Sequence, residues 1–362
     1  IISNEEKRYI MKKILNHIYI DGLSGMASGL FATLIIGTIL GQVGVYVGGT
    51  AGGYMIFIAS AAKALTGAGI GVGIACKYQA PILVAASAAV AGTVGAYAGR
   101  MIDGSFLADG SVVLAGAGDP LGAFIASVAA VEIGILISGR TGLDIVLTPV
   151  FVIAAGSAVG IAVGPPCSAL MTYLGELIIW ATEQQPFLMG IVVAVVMGML
   201  LTLPISSAAF GVMLGLGGIS AGAATVGCAA NMIGFAVASF RENGMSGLIS
   251  QGIGTSMLQV SNIMRRPVIW LPAILSSAVL GPVSTCLLKL TNNAVGCGMG
   301  TSGLVGPVTM YQTMTAAGGS PVIVATEILI MLFAAPAVLS AFFASLMRKW
   351  GWIRKGDMKL DI

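Results

Sequence analysis

Uncharged hydrogen-bonding side chains are concentrated in two glycine-containing stretches of an otherwise apolar chain. The stretches are 245–264, MSGLISQGIGTSMLQVSNIM, and 291–313, TNNAVGCGMGTSGLVGPVTMYQT. Their candidate binding residues are Gln251, Thr255, Ser256, Gln259, Asn262, Asn292, Asn293 and Thr301. Amides and hydroxyls are the groups that hydrogen-bond the hydroxyls of sugars and other small polar solutes. The pattern therefore predicts a binding site for such a solute.

The same polar side chains have a second interpretation of equal weight. Both stretches contain glycines that interrupt helices, and a broken backbone at membrane depth needs hydrogen-bond partners. The amides and hydroxyls would then serve the backbone of two re-entrant hairpins rather than a solute. A hairpin that lines a cavity can do both, as broken helices do in transporters.

Three charged residues, Lys63, Glu132 and Glu327, lie inside apolar stretches. An ion is costly there and usually faces protein. Lys63 is interpreted as a substrate contact, because the glycines that follow it permit a ligand to approach. Glu132 and Glu327 are either substrate or ion contacts or members of a structural Lys–Glu pair, and the structural role is slightly favoured. The only histidine, His17, is interpreted as a surface residue rather than a proton relay, because the sequence shows no partner to orient it.

No motif for a cofactor, a metal or covalent chemistry stands out. The five cysteines form no CxxC pair and lie near no histidine cluster, so small apolar packing is their favoured role. No nucleophile–base pair is evident. Asp119 and Asp144 stand where apolar helices begin and are interpreted as helix caps. The sequence predicts no cofactor and no catalytic or metal-binding residue.

The elements that must position these residues are membrane-spanning helices. Of the 362 residues, 57% are hydrophobic and 9% are charged, against about 25% charged in a soluble domain. Nine apolar stretches are long enough to span a membrane: 23–47, 51–76, 80–99, 119–139, 144–165, 186–206, 208–240, 267–290 and 321–347. Residues 4–21 predict an amphipathic N-terminal helix, and residues 167–185 predict a helix lying along the interface. The predicted fold class is an all-α polytopic membrane protein.

Basic residues are concentrated at the two ends of the chain. Nine of the 17 Lys and Arg residues lie in the terminal segments 1–22 and 348–362, which flank a single predicted transmembrane unit, 23–347. By the positive-inside tendency both termini face the cytoplasm, where they offer a surface to a cytoplasmic partner. Nine spans would place the two termini on opposite sides of the membrane, so one of the assignments must be wrong. The number of spans is therefore predicted only as about eight to ten. Such basic clusters usually flank spans and meet membrane lipids, so no nucleic-acid partner is predicted.

The run LTPVFVIAAGSAVGIAVGPPCSALMTYLGEL, 147–177, resembles the membrane subunit, enzyme IIC, of bacterial phosphotransferase sugar transporters, the fructose-like branch most closely. Three further runs, 21–37, 201–215 and 251–273, resemble landmarks of that family in the same order. The last is similar to the signature loop G-I-T-E-G-A-I-P-F. The resemblance implies an enzyme IIC-like transporter fold with an interfacial helix and two re-entrant hairpins. It also implies a homodimer in the bacterial cell membrane.

Three positions depart from the family pattern. The signature-loop Glu that binds the sugar matches Thr255, the first-span His matches Gly25, and an Asn-Lys pair matches Ser206-Ser207. Group translocation needs a carboxylate or an imidazole to activate the sugar hydroxyl. The chain is therefore predicted not to be an enzyme. It is similar to a divergent stand-alone group of enzyme IIC-like proteins, which includes those named as regulators of the toxin perfringolysin O.

Two functions fit this pattern. The first is a membrane transporter that moves a small polar solute by alternating access without phosphorylating it. The alternative is a membrane sensor or regulator that kept the enzyme IIC fold and lost transport. A solvent-reachable pocket would favour transport, whereas a pocket filled by side chains such as Met257 and Met299 would favour the sensor.

Overall fold

The computed structural model describes residues 17–360 apart from residues 103, 106, 109, 110, 115 and 206. Residues 1–16, which make up most of the predicted amphipathic N-terminal helix, lie outside the described residues. Ser206, one of the departures from the family pattern, and residues 361–362 of the basic tail also lie outside them.

The described chain is helical apart from turns and one pair of two-residue strands. The helices, in chain order, are α1 (Ile20–Val47), α2 (Gly49–Ala64), α3 (Thr66–Lys77), α4 (Ile82–Ile102), α5 (Pro120–Ile137), α6 (Asp144–Thr182), α7 (Pro186–Thr202), α8 (Ser207–Met213), α9 (Gly218–Ala238), α10 (Phe240–Ile249), α11 (Val260–Arg265), α12 (Pro267–Leu288), α13 (Val305–Ala316) and α14 (Pro321–Lys349). The strands β1 (Leu107–Ala108) and β2 (Ser111–Val112) pair antiparallel. This architecture confirms the predicted all-α polytopic class.

The nine predicted spans all have helical counterparts. Among the described residues, seven helices are long and apolar enough to cross a membrane: α1, α4, α5, the first part of α6, α9, α12 and α14. The predicted span 51–76 is instead a pair of helices, α2 and α3, bent by 56°. The span 186–206 corresponds to α7, a shorter apolar helix. Residues 167–182 are helical, but they are the second half of the 39-residue α6 rather than a separate interfacial element.

The chain forms two compact units. Unit 1 contains described residues 17–37 and 57–168, and unit 2 contains 38–56 and 169–360. Within unit 1, α1, α3, α4 and α5 pack against one another. A Cβ built on Gly25 of α1 would lie 2.7 Å from the carbonyl oxygen of Gly73 in α3, so the two helices touch backbone to backbone. Small residues allow this approach, which strengthens van der Waals packing between membrane helices.

Helix α9 is the centre of unit 2. Its most apolar part is 89% buried inside the protein, and it packs against α7, α12 and α14. A Cβ built on Gly227 would overlap the carbonyl oxygen of Ala194 in α7, so glycine sets the spacing of this helix pair. Burial on all sides, as in α9, is typical of a helix whose faces are all apolar.

The first predicted hairpin, 245–264, is a broken helix. Helix α10 is kinked at Gly244, whose φ of 58° lies in the left-handed region, and it continues into a wide π turn at Ser250–Gly254. At Thr255 the backbone is extended, and a 3-10 turn, Ser256–Gln259, leads into α11. We call residues 240–265 the first broken segment.

The second predicted hairpin, 291–313, is non-helical over its first half. Asn292 pairs with Gly218 in an isolated antiparallel bridge, and turns follow as far as Thr301. Leu304 has a φ of 60°, which is uncommon for a residue with a side chain. Helix α13 begins directly after it. We call residues 291–316 the second broken segment.

Candidate functional site

The two broken segments are joined by a buried hydrogen bond inside unit 2. The hydroxyl of Thr301 donates to the carbonyl oxygen of Gly252 at 2.5 Å. It also lies 3.5 Å from the sulfur of Met232 in α9. Thr301 is fully buried, so the bond forms away from water, where hydrogen bonds are stronger. The structure thus brings the two predicted hairpins together at one point.

The first broken segment carries a chain of buried amides. The Nε2 of Gln251 donates to the hydroxyl of Ser239 and to the carbonyl oxygen of Gly247, both at 2.9 Å. The Nε2 of Gln259 donates to Gln251 Oε1 at 2.9 Å, and the Nδ2 of Asn262 donates to Gln259 Oε1 at 2.8 Å. Each amide is therefore oriented by its neighbour, as in other buried polar networks.

The far end of this amide chain binds the C-terminal segment, residues 350–360. Gln259 Nε2 donates to the carbonyl oxygen of Met358 at 3.0 Å, and Asn262 Nδ2 donates to that of Lys359 at 2.9 Å. Met358 is fully buried, and its backbone N–H donates to Glu242 Oε2 at 2.9 Å. The basic tail is therefore folded against the first broken segment, at least as far as residue 360.

An ion pair and a second amide complete the docking of the C-terminal segment. Arg266 Nε lies 3.1 Å from Asp357 Oδ2. Asn243 Nδ2 donates to the carbonyl oxygen of Met358, and Asn243 Oδ1 accepts from the N–H of Leu360, both at 2.9 Å. Asn243, near the start of the first broken segment, and Arg266, directly after its end, therefore both bind the C-terminal segment.

Thr255 has a local structural role at the break. Its Oγ1 accepts a hydrogen bond from the backbone N–H of Met257 at 3.1 Å and so caps the following 3-10 turn. The side chain is 2% exposed. Met257 is also buried, and Met299 is half-buried. A threonine hydroxyl can exchange such a bond for one to a neutral ligand, but it cannot take a proton at neutral pH.

A second buried polar cluster was not predicted from the sequence and centres on Asn231 of α9. Asn231 Oδ1 accepts from Trp270 Nε1 at 2.9 Å and from Thr202 Oγ1 at 3.3 Å, and its Nδ2 donates to Ser277 Oγ at 3.2 Å. The hydroxyls of Thr202 and Ser256 lie 2.8 Å apart. The predicted residue Ser256 thus belongs to this cluster. A lone Asn within an apolar span was the signal that could have found it.

The asparagines of the second broken segment hold its turns. Asn292 Nδ2 donates to Thr225 Oγ1 at 2.8 Å and to the carbonyl oxygen of Gly306 at 3.3 Å. Asn293 Oδ1 accepts from the backbone N–H groups of Val295 and Gly296. The hydroxyl of Ser302, which is 2% exposed, has no hydrogen-bond partner among the described residues. A buried polar group left without a partner is uncommon and marks a position where a ligand can bind.

Lys63 lies in unit 1, whereas the other eight predicted binding residues lie in unit 2. It stands in the last turn of α2, directly before the 56° bend into α3. Its side chain is half-buried and has no ion-pair partner in the described part of the chain. Glu327 of α14 also has no ion-pair partner among the described residues, although a basic partner was expected for its carboxylate.

His17 has the orienting partners that the sequence did not reveal, so the expectation of a lone histidine was wrong. Its Nε2 lies 3.3 Å from Glu132 Oε1 and its Nδ1 lies 3.6 Å from Asp21 Oδ2. The ring stacks on Tyr78 at 3.8 Å, and the Tyr78 hydroxyl donates to the His17 carbonyl oxygen at 3.0 Å. Burial raises the pKa of Tyr78, and the carboxylates of Glu132 and Asp21 raise it further. Glu132 therefore has a basic structural partner, as predicted, but that partner is a histidine.

Both predicted helix caps accept hydrogen bonds from backbone N–H groups. Asp119 caps α5, because its carboxylate accepts from the backbone N–H groups of Leu121 at 3.1 Å and Gly122 at 3.2 Å. Asp144 is the first residue of α6, and its carboxylate accepts from the N–H of Gly139 at 2.9 Å and from the hydroxyl of Thr148.

The described residues contain no group of three His, Cys, Asp or Glu side chains that could hold a metal ion.

The sequence matches the family described as phosphotransferase system, EIIC, over residues 20–360. The chain belongs to this family. Together with the seven candidate spans, membership makes this EIIC protein a multi-pass membrane protein with a transporter-type role. No curated protein matched the chain.

The structure describes the surroundings of Gly25 and Thr255, two positions at which the resemblance implied a departure from the family pattern. At Gly25 a Cβ would lie 2.7 Å from Gly73 O and 2.8 Å from Ile74 Cα, so the site has no room for an imidazole. At Thr255 the hydroxyl caps a turn. Neither position holds a group that can take a proton from a sugar hydroxyl. The polar groups of the broken segments are suited to hydrogen-bonding an uncharged solute.

Proposed function

We propose that this EIIC protein transports a small polar solute such as a sugar by alternating access and releases it unphosphorylated. The observation that carries the proposal is the buried junction of two interrupted helices at Thr301 and Gly252, with amide and hydroxyl side chains on both segments. In transporters, discontinuous helices hold the substrate near the midplane, and rigid movement around that site gives alternating access.

Release without phosphorylation is supported by the absence of a general base from the sequence of the site. Between Glu242 and Glu327 the sequence contains no Asp, Glu or His. Phosphoryl transfer to a hydroxyl needs a carboxylate or an imidazole within hydrogen-bond reach of the proton it removes. Glu242 itself accepts from the Met358 N–H and pairs with Arg348 at 3.6 Å, so it is committed to the C-terminal segment.

The solute would bind by exchange of hydrogen bonds. Gln259 and Asn262 already present donors, and their present acceptors are backbone carbonyls of the C-terminal segment. A sugar hydroxyl can accept the same bonds, and because one hydrogen bond replaces another, the net free energy of each exchange is small. The unpartnered hydroxyl of Ser302 adds a bond that the protein alone does not make. Lys63 lies in unit 1 and stays a predicted substrate contact.

A thermal-shift screen of the purified protein against neutral sugars, polyols, nucleosides and small organic acids tests this site. A ligand that binds the folded state raises its melting temperature by mass action. We expect a neutral polyhydroxyl compound to raise it for the wild type and for Thr326→Val, whose hydroxyl bonds only within its own helix. Thr255→Trp and Ser302→Ala should weaken the shift. A shift that these two variants leave unchanged would place the ligand elsewhere.

A sensor is the second candidate, and the docked C-terminal segment favours it. A solute that takes the donors of Gln259 and Asn262 displaces the carbonyls of Met358 and Lys359. The released segment would carry the signal. In this case the ligand found in the screen should speed tryptic cleavage at Lys355 and Lys359 without any flux through proteoliposomes. Flux of the ligand through proteoliposomes favours the transporter, because the sensor predicts none.

The assembly and orientation belong to the same proposal. We propose a homodimer in a bacterial cell membrane with both termini in the cytoplasm, as the family resemblance and the basic ends of the chain indicate. Light scattering of the detergent-solubilised protein measures the first property. Labelling of single cysteines placed in residues 350–360, from outside and inside intact cells, measures the second.

A further inference from the structure

A cleft in unit 2 lies beside the first broken segment, and none of the proposed solute-binding residues lines it. Its volume is about 610 Å³, and it opens where α9 and α14 end. One part of its wall is apolar and includes Val237, Phe240, Leu248 and Ala341. The other part carries three basic side chains, Arg241, Arg348 and Lys349. The cleft therefore combines an apolar wall with a positive rim.

The positive charge of the rim is largely uncompensated. Arg348 pairs with Glu242 at 3.6 Å, but Arg241 and Lys349 have no carboxylate partner in the described part of the chain. The terminal carbonyls of a helix carry partial negative charge and oppose an anion. Here Arg348 donates to the carbonyl oxygen of Ala238 at 2.7 Å and so covers the end of α9. The rim thus favours a negatively charged group.

The ends of membrane spans lie at the level of the lipid headgroups. Both α9 and α14 are candidate membrane spans, and the cleft is formed by their C-terminal ends. Directly after α14 come Trp350 and Trp352, whose rings are 5.3 Å apart and which are 56% and 49% exposed. Exposed tryptophans at the end of a span are typical of the membrane–water interface.

We propose that this cleft binds an anionic phospholipid, with the phosphate on Arg241 and Lys349 and an acyl chain along Phe240 and Val237. Guanidinium and ammonium groups form charge-assisted hydrogen bonds with phosphate oxygens. A soluble phosphate would use only the rim, whereas a phospholipid also covers the apolar wall. Basic pockets between spans are a known form of lipid site in membrane proteins.

Binding of phosphatidylglycerol to the full chain in neutral detergent, followed by native mass spectrometry, tests this proposal. The test variant is Arg241→Gln with Lys349→Gln. The matched control is Arg265→Gln with Lys355→Gln, which removes the same charge from exposed residues outside the cleft. We expect the test variant to bind about thirtyfold more weakly, as the loss of two basic contacts implies, and the control to bind like the wild type. Equal losses in both variants would overturn the proposal in favour of diffuse charge attraction.

Two measurements on the wild type distinguish the lipid from other ligands and do not depend on any variant folding. Phosphatidylcholine with the same acyl chains should bind far more weakly, and glycerol 3-phosphate should not displace phosphatidylglycerol at equal concentration. Bromine-labelled phosphatidylglycerol should quench the fluorescence of Trp350 and Trp352 more than the labelled phosphatidylcholine does. Displacement by glycerol 3-phosphate, or equal quenching by the two lipids, would overturn the assignment.

Discussion

The side-chain amide of Asn262 donates a hydrogen bond to the main-chain carbonyl of Lys359, 97 residues further along the chain, at 2.9 Å. Asn262 is 4% exposed, so the bond is protected from water. It means that the first broken segment and the C-terminal segment fold as one structure. Stability of the hairpin therefore depends on a peptide that the sequence presents as a charged tail.

Replacement of Gln259 by Met should destabilise unit 2. The amide makes three bonds, to Gln251 Oε1, to Met358 O and from Asn262 Nδ2. Methionine keeps the shape but leaves buried polar partners unsatisfied, which costs about 1–3 kcal/mol for each such group. Thermal unfolding in detergent should show a lower midpoint, and trypsin should cut the C-terminal segment faster. Gln312→Met, at an exposed position of α13, is the control, and equal midpoints for the two variants would contradict the network.

The sequence predicted the elements better than their partners. Apolar length is a local property, so nine stretches were recognised, and each contains at least one helix. Two of them are interrupted, 51–76 at Leu65 and 208–240 between Met213 and Gly218. Glycines at 252 and 254 similarly marked the break in the first segment. By contrast, the docking of Met358 depends on contacts with Asn243 and Gln259 that are far away along the chain. The basic residues around Met358 indicated a solvated tail, and tertiary contacts outweighed that local signal.

Two other differences have physical reasons of the same kind. The predicted span 144–165 and the predicted interfacial helix 167–185 were separate elements, divided at the prolines 165 and 166; proline removes a backbone donor and disfavours helix continuation. In the structure α6 continues through them to Thr182, as membrane helices tolerate proline where neighbours compensate. His17 looked isolated because its strongest partner, Glu132, belongs to a different helix. The other partner of His17, Asp21, lies only four residues along the chain and could have been found from the sequence.

Introduction of any side chain at Gly25 should weaken the packing of unit 1. A Cβ there would be 2.7 Å from Gly73 O and 2.8 Å from Ile74 Cα, both backbone atoms that cannot rotate away. Overpacking of this kind typically costs about 1–3 kcal/mol. We expect Gly25→Ala to lower the melting temperature and Gly25→His to lower it further. Gly53→Ala, where a Cβ meets nothing within 4 Å, should be neutral or slightly stabilising. A stable Gly25→His protein would contradict this packing.

Asn231 should be one of the most sensitive polar residues of unit 2. It accepts from Trp270 and Thr202 and donates to Ser277, so Asn231→Leu leaves three buried groups without that partner. Loss of more than about 2 kcal/mol is expected, measured by thermal unfolding. Gln184→Leu is the matched control, because its amide bonds only to the carbonyl of Trp180, four residues earlier in the chain. Similar midpoints for the two variants would show that the cluster contributes little.

Stability should depend on pH through Asp119. Burial raises the pKa of this carboxyl, against the two backbone N–H donors, Leu121 and Gly122, that lower it. A carboxyl whose pKa is higher in the folded state binds protons more tightly when folded. Its contribution therefore decreases as the pH rises from about 4, the usual carboxyl pKa, through the raised value, and is constant above it.

The variant Asp119→Asn separates this effect from capping. Asparagine caps a helix as well as aspartate, so the variant should gain stability relative to the wild type as the pH rises through that window and keep the gain at neutral pH. Asp119→Ala should be about 1 kcal/mol less stable than Asp119→Asn at every pH, because these two variants differ only in the cap. Melting temperatures of the three proteins from pH 4 to pH 8 measure this. A difference between Asn and Asp that does not change with pH would contradict the assignment.

The most direct test of transport without phosphorylation is flux into proteoliposomes, with the solute identified by the thermal-shift screen. The transported solute is collected from the lumen and weighed by mass spectrometry, with and without phosphoenolpyruvate and phosphoryl-carrier proteins outside. We predict that the solute arrives unmodified at the same rate in both cases. Thr301→Val, which removes the bond to Gly252, should slow it, whereas Thr326→Val should not. A solute that arrives only as its phosphate ester would contradict the account, and so would the absence of flux in the wild type.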